Sequence, residues 1–154
     1  MRRSSLILPI LAAAGVLTLA QTRRPETSST HSFSIIEATI PQMRTALELK
    51  QITSREIVLQ YLTRIATYED KLNAVITVNP KALEEAEERD RERAQGRIRG
   101  PLHGIPIALK DNIHTTDMPT TGGALVFDGM VPPYEATLTR NLKDAGAIII
   151  AKTG

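Results

Sequence analysis

The hydrophobic and polar positions divide the chain into an apolar start, an irregular polar stretch and a longer region of ordered elements. Residues 6–19 are largely apolar and follow Arg2 and Arg3, and small or short residues lead to Ala20. This is the pattern of a secretory signal peptide, and its apolar part is too short to span a bilayer comfortably. We predict a signal peptide over residues 1–20 and export to a periplasm or out of the cell. The alternatives are an uncleaved membrane anchor and a first helix that is merely apolar.

Residues 21–34 are rich in Ser, Thr, Arg and Pro without periodicity, which predicts a flexible linker. From residue 35 the apolar positions recur at helical spacing. Thr39, followed by Pro41, is typical of a helix start, and Thr53 with Glu56 forms a capping box for a second helix. Two helices in a hairpin are expected, with these residues facing inward: Ile40, Met43, Ala46 and Leu47 in the first, and Ile57, Tyr61, Leu62, Ile65 and Tyr68 in the second.

A short β-branched segment at residues 74–78 predicts a strand, and Asn79 with Pro80 predicts the N-cap and first residue of a third helix. This helix extends to about Gln95, and Gly96 ends it. It carries Leu83 and Ala86 inward. Its charged positions over residues 84–93 alternate in sign, which favours a solvated face with Glu85–Arg89 and Glu87–Arg91 pairs.

Two continuous apolar runs, residues 105–109 and 147–151, predict strands buried on both faces. A long Thr-, Gly- and Pro-rich segment over residues 113–133 and a helix from residue 135 or 136 to 145 lie between them. The helix should carry Leu138, Leu142 and Ala145 inward. A strand, a helix and a second strand at this spacing form a right-handed crossover, so the two strands should be parallel. The predicted fold class is α/β.

Lys110 follows the first of these strands, and ligands of open α/β sheets bind outside the carboxyl ends of the strands. A lysine can act as a base only when it is neutral, and burial lowers its pKa from about 10.4 by up to 3–5 units. The alternative is a lysine that reaches into solvent at a strand end. Asp111 and Asn112 are expected to hold the turn through side-chain hydrogen bonds to the backbone.

Composition excludes several other classes of function. The chain has no cysteine, which removes disulfides and thiolate chemistry, and its three histidines are not at metal-ligand spacing. Of 19 basic residues, Arg2 and Arg3 lie in the predicted signal peptide, which leaves 17 against 17 acidic residues. A neutral chain with 3% aromatic residues gives little support to nucleic-acid binding.

The segments 100–112, 118–123 and 144–153 resemble, in their joint spacing, the amino-terminal part of the amidase signature family. The likeness extends from about Ile36 to Gly154. It implies an incomplete amidase-signature fold, with a helical hairpin packed on part of a mixed sheet. It also implies hydrolysis of a small-molecule carboxamide to a carboxylate and ammonia or an amine, without metal or cofactor. By this resemblance Lys110 is the lysine of a Ser-cisSer-Lys triad, Gly122–Gly123 lie near it, and Lys152–Thr153 are the usual end of their strand.

The serines of that triad are absent, because no serine follows Ser54. We therefore expect residues 35–154 to be the amino-terminal part of an amidase domain that is inactive alone and contributes only Lys110 to catalysis. The alternative is a non-catalytic amidase-like product or binding module. Stable membrane insertion is not expected after signal cleavage. The sequence leaves the amide substrate and the oligomeric state open.

Overall fold

The computed structural model describes residues 33–154. The predicted signal peptide and nearly all of the predicted linker lie outside the described residues. Within residues 33–154, no helix has both the length and the apolar character needed to cross a membrane.

Four helices and a three-stranded sheet form the described part of the chain. In chain order they are α1 (Ile40–Glu48), α2 (Ser54–Leu72), β1 (Val75–Val78), α3 (Ala82–Ala94), β2 (Pro106–Lys110), a 3-10 helix (Leu125–Phe127), α4 (Thr137–Asp144) and β3 (Ile148–Thr153). The strand order is β1-β3-β2, with β2 parallel and β1 antiparallel to β3. The predicted α/β class, the mixed sheet and the parallel crossover are confirmed.

Both predicted helix starts in the hairpin are confirmed. The Thr53 N–H donates to Glu56 Oε2 at 2.8 Å, and the Glu56 N–H donates to Thr53 Oγ1 at 3.1 Å, which is a complete capping box. Thr39 forms the same arrangement with Gln42, a partner that the sequence prediction did not include. The two helices therefore begin where local hydrogen-bonding chemistry requires.

The charged face of α3 is only partly solvated, and this part of the prediction is wrong. Arg89 and Glu92 are buried, and Arg89 pairs with Glu88 and Glu92 at 2.6 and 3.1 Å instead of with Glu85. Glu87 pairs with Arg55 of α2, not with Arg91. The cause is tertiary: α3 packs beside α2 on one flank, and residues 99–103 cover Glu92 on another through Arg99. Asp90 joins the helices by accepting the Ser54 and Arg55 N–H groups at 2.7 and 3.0 Å.

Other local predictions also differ from the structure. Tyr68 is 44% exposed, and Arg64 lies over its ring at 5.4 Å. The third helix begins at Ala82, because the Asn79 side chain instead accepts the Lys81 N–H and donates to Ile149 O. Three further residues or elements are more exposed than predicted: Ile40, Leu138 and strand β2, which lies at the edge of the described sheet.

The core consists of three apolar clusters, and two of them contain residues of β3, which is buried on both faces. The first joins α1 and α2 to Ile105, the second joins α2 and α3 to Ile148 and Ile150, and the third joins Leu109 and Ile149 to Met118. The helices and the long loop thus cover β3 from both sides. Its carboxyl end is held next to that of β2.

His103 lies buried in the turn before β2, and its ring makes two hydrogen bonds. Its Nδ1 accepts the Arg99 N–H at 3.3 Å, so the neutral ring donates from Nε2 to Arg89 O at 2.9 Å. Burial lowers the pKa of His103, and the carboxylate of Glu92 opposes that shift.

We expect the pH dependence of stability to reflect this histidine. The unfolded chain binds a proton near pH 6.5 and the folded chain binds it at lower pH, so the histidine's contribution is complete above about pH 6.5 and is lost as the pH falls below it. Urea unfolding at several pH values should show a steeper loss on acidification for the natural chain than for His103→Gln. Equal pH slopes for the two proteins would contradict this role.

Candidate active site

The carboxyl ends of β2 and β3 lie side by side and open into a cleft. Lys110 is the last residue of β2, and its partner in the parallel ladder is Thr153. The cleft has a volume of about 310 Å³ and is lined by Ile76, Lys110, Asp111, Asn112, Gly122, Gly123, Thr153 and Gly154. It therefore lies where ligands of α/β sheets bind.

Lys110 is exposed at this cleft, while Leu109 and Asp111 on either side of it are 4% and 1% exposed. Alternate residues of a strand face opposite sides of the sheet, so the lysine points away from its two buried neighbours. A neutral Lys110 was expected to require burial, but residues 33–154 leave its side chain exposed. The position at the mouth of the sheet agrees with the prediction.

Asp111 anchors the loop opposite Lys110. Its Oδ2 accepts the Thr121 N–H at 2.9 Å and the Thr121 hydroxyl through a short hydrogen bond. Burial acts to raise the pKa of Asp111, but the hydrogen bonds from Thr121 and the charge of Lys152 outweigh it and hold that pKa below the usual value. The expected side-chain bond to the backbone is therefore present, with a partner ten residues away. Asn112 is exposed and makes no side-chain hydrogen bond within residues 33–154.

The loop over residues 119–123 forms one wall of the cleft. Gly122 and Gly123 have φ values of +60° and +76°, in the left-handed region that a glycine adopts without penalty. The Gly122 N–H donates to Asp111 O at 3.3 Å, and the Thr120 N–H donates to Met130 O at 2.9 Å. The loop thus passes close to the end of β2, near Lys110.

Lys152 is the residue whose position the sequence reasoning missed. Its side chain is 0% exposed, and its ammonium lies 3.4 Å from Asp111 Oδ1 and 2.8 Å from Thr120 Oγ1. Burial lowers the pKa of Lys152, and Asp111 opposes that shift. A signal was available, because Lys152 directly continues the apolar run of residues 147–151 in a strand predicted to be buried on both faces.

The fold agrees with what comparison with known proteins finds. The family model described as Amidase matches residues 56–154. A glutamyl-tRNA(Gln) amidotransferase subunit from Natranaerobius thermophilus is 42% identical over 118 residues, which are 76% of this chain and 24% of that protein. A probable amidase of Arabidopsis thaliana is 41% identical over 149 residues, which are 95% of this chain and 29% of that one.

Solved structures give the same result. The native peptide amidase from Stenotrophomonas maltophilia superimposes with a TM-score of 0.74 at 45% identity, over 77% of this chain and 25% of that chain. The described α/β unit with its cleft is therefore a part of an amidase-type fold. The chain belongs to the amidase family, as its resemblance predicted, and spans about a quarter of the length of these relatives.

Proposed function

We propose that the amidase domain that contains this segment hydrolyses a small-molecule carboxamide to a carboxylate and ammonia or an amine, and that Lys110 is its proton-relay base. Family membership supports amide hydrolysis as the chemistry. The observation that carries the role of Lys110 is its position at the carboxyl end of β2, in the cleft that also contains Gly122 and Gly123.

In the proposed reaction a serine oxygen attacks the amide carbonyl carbon and its proton passes through a bridging serine to the neutral amine of Lys110. The C–N bond then breaks, and the relay returns the proton to the departing nitrogen, which leaves an acyl ester on the serine. Water attacks the ester by the same relay, and the carboxylate is released. Lys110 must be neutral to begin, so its exposed side chain would have to be covered by further protein surface.

The two serines of this relay are not found in the chain, because no serine follows Ser54. Ser54 itself is fully buried at the start of α2, packed against Gly104 away from the cleft. The nucleophile and the bridging serine would therefore come from sequence beyond these residues, and this chain would supply Lys110 and one wall of the cleft.

We expect the 154-residue chain by itself to show no amide hydrolysis above background and no labelling by a fluorophosphonate probe. The test incubates the purified chain with the probe and, separately, with a set of primary carboxamides while ammonia is measured. A homologous full-length amidase provides the positive control. Specific labelling of the chain, or turnover that survives further purification, would contradict the assignment of the missing serines.

The DNA downstream of the Gly154 codon tests the enzyme proposal itself. A continuing reading frame with paired serines in a Gly- and Ser-rich segment supports an amidase with Lys110 in its relay. An immediate genuine stop codon supports the alternative, a non-catalytic amidase-like product.

Export is proposed on the sequence pattern of residues 1–20 alone. Expression with its native start in a bacterial host should yield a product in the periplasm or medium that lacks about the first 20 residues, measured by intact mass. Arg2→Glu/Arg3→Glu should reduce processing, because the basic residues precede the apolar run. A full-length cytoplasmic product would contradict export.

A further inference from the structure

Lys152 has an ammonium group that is completely buried and yet lies beside the cleft of Lys110. Its side chain is 0% exposed, and the adjoining Ile150 and Ala151 of β3 belong to the apolar core. Taking such a charge out of water is unfavourable unless protein acceptors replace the water. The residues that supply these acceptors identify the segments that Lys152 joins.

Three oxygen atoms surround the ammonium. Thr120 Oγ1 lies at 2.8 Å, the carbonyl oxygen of Pro119 at 3.2 Å and Asp111 Oδ1 at 3.4 Å. A lysine ammonium has three N–H donors, so each has an oxygen to face. Two of the oxygens belong to the loop over residues 119–123 and one to the turn after β2, so Lys152 links both to the end of β3.

Asp111 completes the same unit from the other side. Its Oδ2 accepts from Thr121, its N–H donates to Thr153 O at 2.8 Å, and its carbonyl accepts the Gly122 N–H at 3.3 Å. Among the described residues, Asp111 Oδ1 accepts no hydrogen bond, and the positive charge that faces it is the Lys152 ammonium at 3.4 Å. Without Lys152 this buried carboxylate would lose that neighbouring charge.

The position of Asp111 determines the direction of the Lys110 side chain through strand geometry. Asp111 is held on the side of the sheet where Lys152 lies, and adjacent residues at a strand end point in opposite directions. Fixing Asp111 therefore keeps Lys110 directed into the cleft. It also keeps the Gly122–Gly123 wall at a constant distance from that lysine.

We propose that Lys152 is a positioning residue of this cleft, whose buried ammonium joins the turn after β2 to the loop over residues 119–123 and so fixes both walls around Lys110. The inference rests on the proposed function for what the cleft does, but its structural part stands on the contacts alone. A purely stabilising role explains the lysine less well, because apolar residues of similar volume often replace a buried ion pair without loss of stability. A satisfied buried polar network instead gives rigidity to the segments it joins.

The test compares Lys152→Met with the natural 154-residue chain by amide hydrogen exchange. Methionine keeps most of the side-chain volume but removes all three donors. We expect the Thr121 and Gly122 amides, which bond to Asp111, to exchange at least about tenfold faster, beyond any change in the Ala46 and Leu47 amides of α1. Lys71→Met, at an exposed position in the last turn of α2, is the matched control and should change neither set.

Unchanged relative exchange at Thr121 and Gly122 in Lys152→Met would overturn the proposal. If that variant does not fold, Thr120→Val removes one acceptor while keeping the side-chain shape, and the same two amides should exchange at least about threefold faster than the α1 reference. Equal exchange in Thr120→Val would overturn the proposal in the same way.

The effect of Lys152 on catalysis is measured separately, in the longest natural chain that carries this segment. There Lys152→Met should lower kcat/KM at least about tenfold, and Lys71→Met should not. An unchanged kcat/KM in Lys152→Met overturns the positioning role in catalysis. If a Lys110 variant keeps full activity while Lys152→Met shows faster exchange in the loop, the proposed function is wrong. The structural link made by Lys152 would still hold.

Discussion

Replacing Lys110 with alanine in an active amidase that carries this segment is expected to slow acylation by about 10²- to 10⁴-fold, the range that a positioned proton-transfer group contributes. The substitution removes the base that the proposed relay needs and leaves the packing intact, because the Lys110 side chain is exposed and its neighbours Leu109 and Asp111 hold the strand. The measurement is the burst or single-turnover rate with a primary carboxamide, together with the thermal unfolding midpoint.

Lys110→Arg distinguishes the loss of a proton acceptor from the loss of a positive charge. Arginine remains protonated at all accessible pH values, so it preserves a positive charge at the cleft but cannot accept the serine proton. We expect it to be nearly as slow as alanine. Lys71→Ala, at an exposed position of α2, is the control and should retain full activity. Near-normal turnover of Lys110→Ala would remove this residue from the mechanism.

The elements that the sequence predicted well are those that depend on neighbours in the chain. The predicted helix start at Thr39 and the predicted capping box at Thr53 depend on residues within one turn, and both form. The two apolar runs with a helix between them also predicted the parallel pairing of β2 with β3, because few connections of that length are possible. These two helix starts and the parallel pairing therefore follow from local chemistry and connectivity.

The features that were missed depend on which segments meet in space. The charges at Arg89 and Glu92 are consistent with a solvated face until residues 99–103 fold over them. Lys152 is similar, since its burial requires the loop over residues 119–123, which carries no periodic signal, to return and supply acceptors. Periodicity measures how a residue relates to its own element, whereas burial of a charge depends on distant partners.

The candidate site shows the same division. The position of Lys110 follows from the strand that precedes it, and the proximity of Gly122–Gly123 was implied only by the family resemblance. Their proximity depends physically on Asp111, which bonds across ten residues to Thr121. A motif can therefore identify the members of such a site, but the hydrogen bonds that fix their distances have to be read from the structure.

Gly146→Ala is expected to be among the most destabilising single changes in the described chain, at about 2–6 kcal/mol of unfolding free energy. Gly146 has φ of +90°, and an added Cβ would lie 2.6 Å from the His103 Cα and 2.9 Å from its Cβ. Backbone strain at such a φ costs about 1–3 kcal/mol, and overpacking against a buried residue adds about 1–3 kcal/mol. Urea unfolding of the two purified chains measures the difference.

Gly96→Ala supplies the matched control, because Gly96 has φ of +72° but nothing within 4 Å of an added Cβ. Its unfolding free energy should fall only by the cost of backbone strain, about 1–2 kcal/mol, and equal losses in the two variants would contradict the clash.

The clash at Gly146 affects the cleft because the Gly104 N–H donates to Gly146 O at 2.9 Å and the Ile148 N–H donates to Ile105 O at 3.0 Å. These bonds begin the pairing of β2 with β3, which continues through a register shift between Ile107 and Ala108 to the Lys110–Thr153 pair. Faster exchange of the Asp111 N–H, which donates to Thr153 O, should therefore accompany the loss of stability in Gly146→Ala and not in Gly96→Ala.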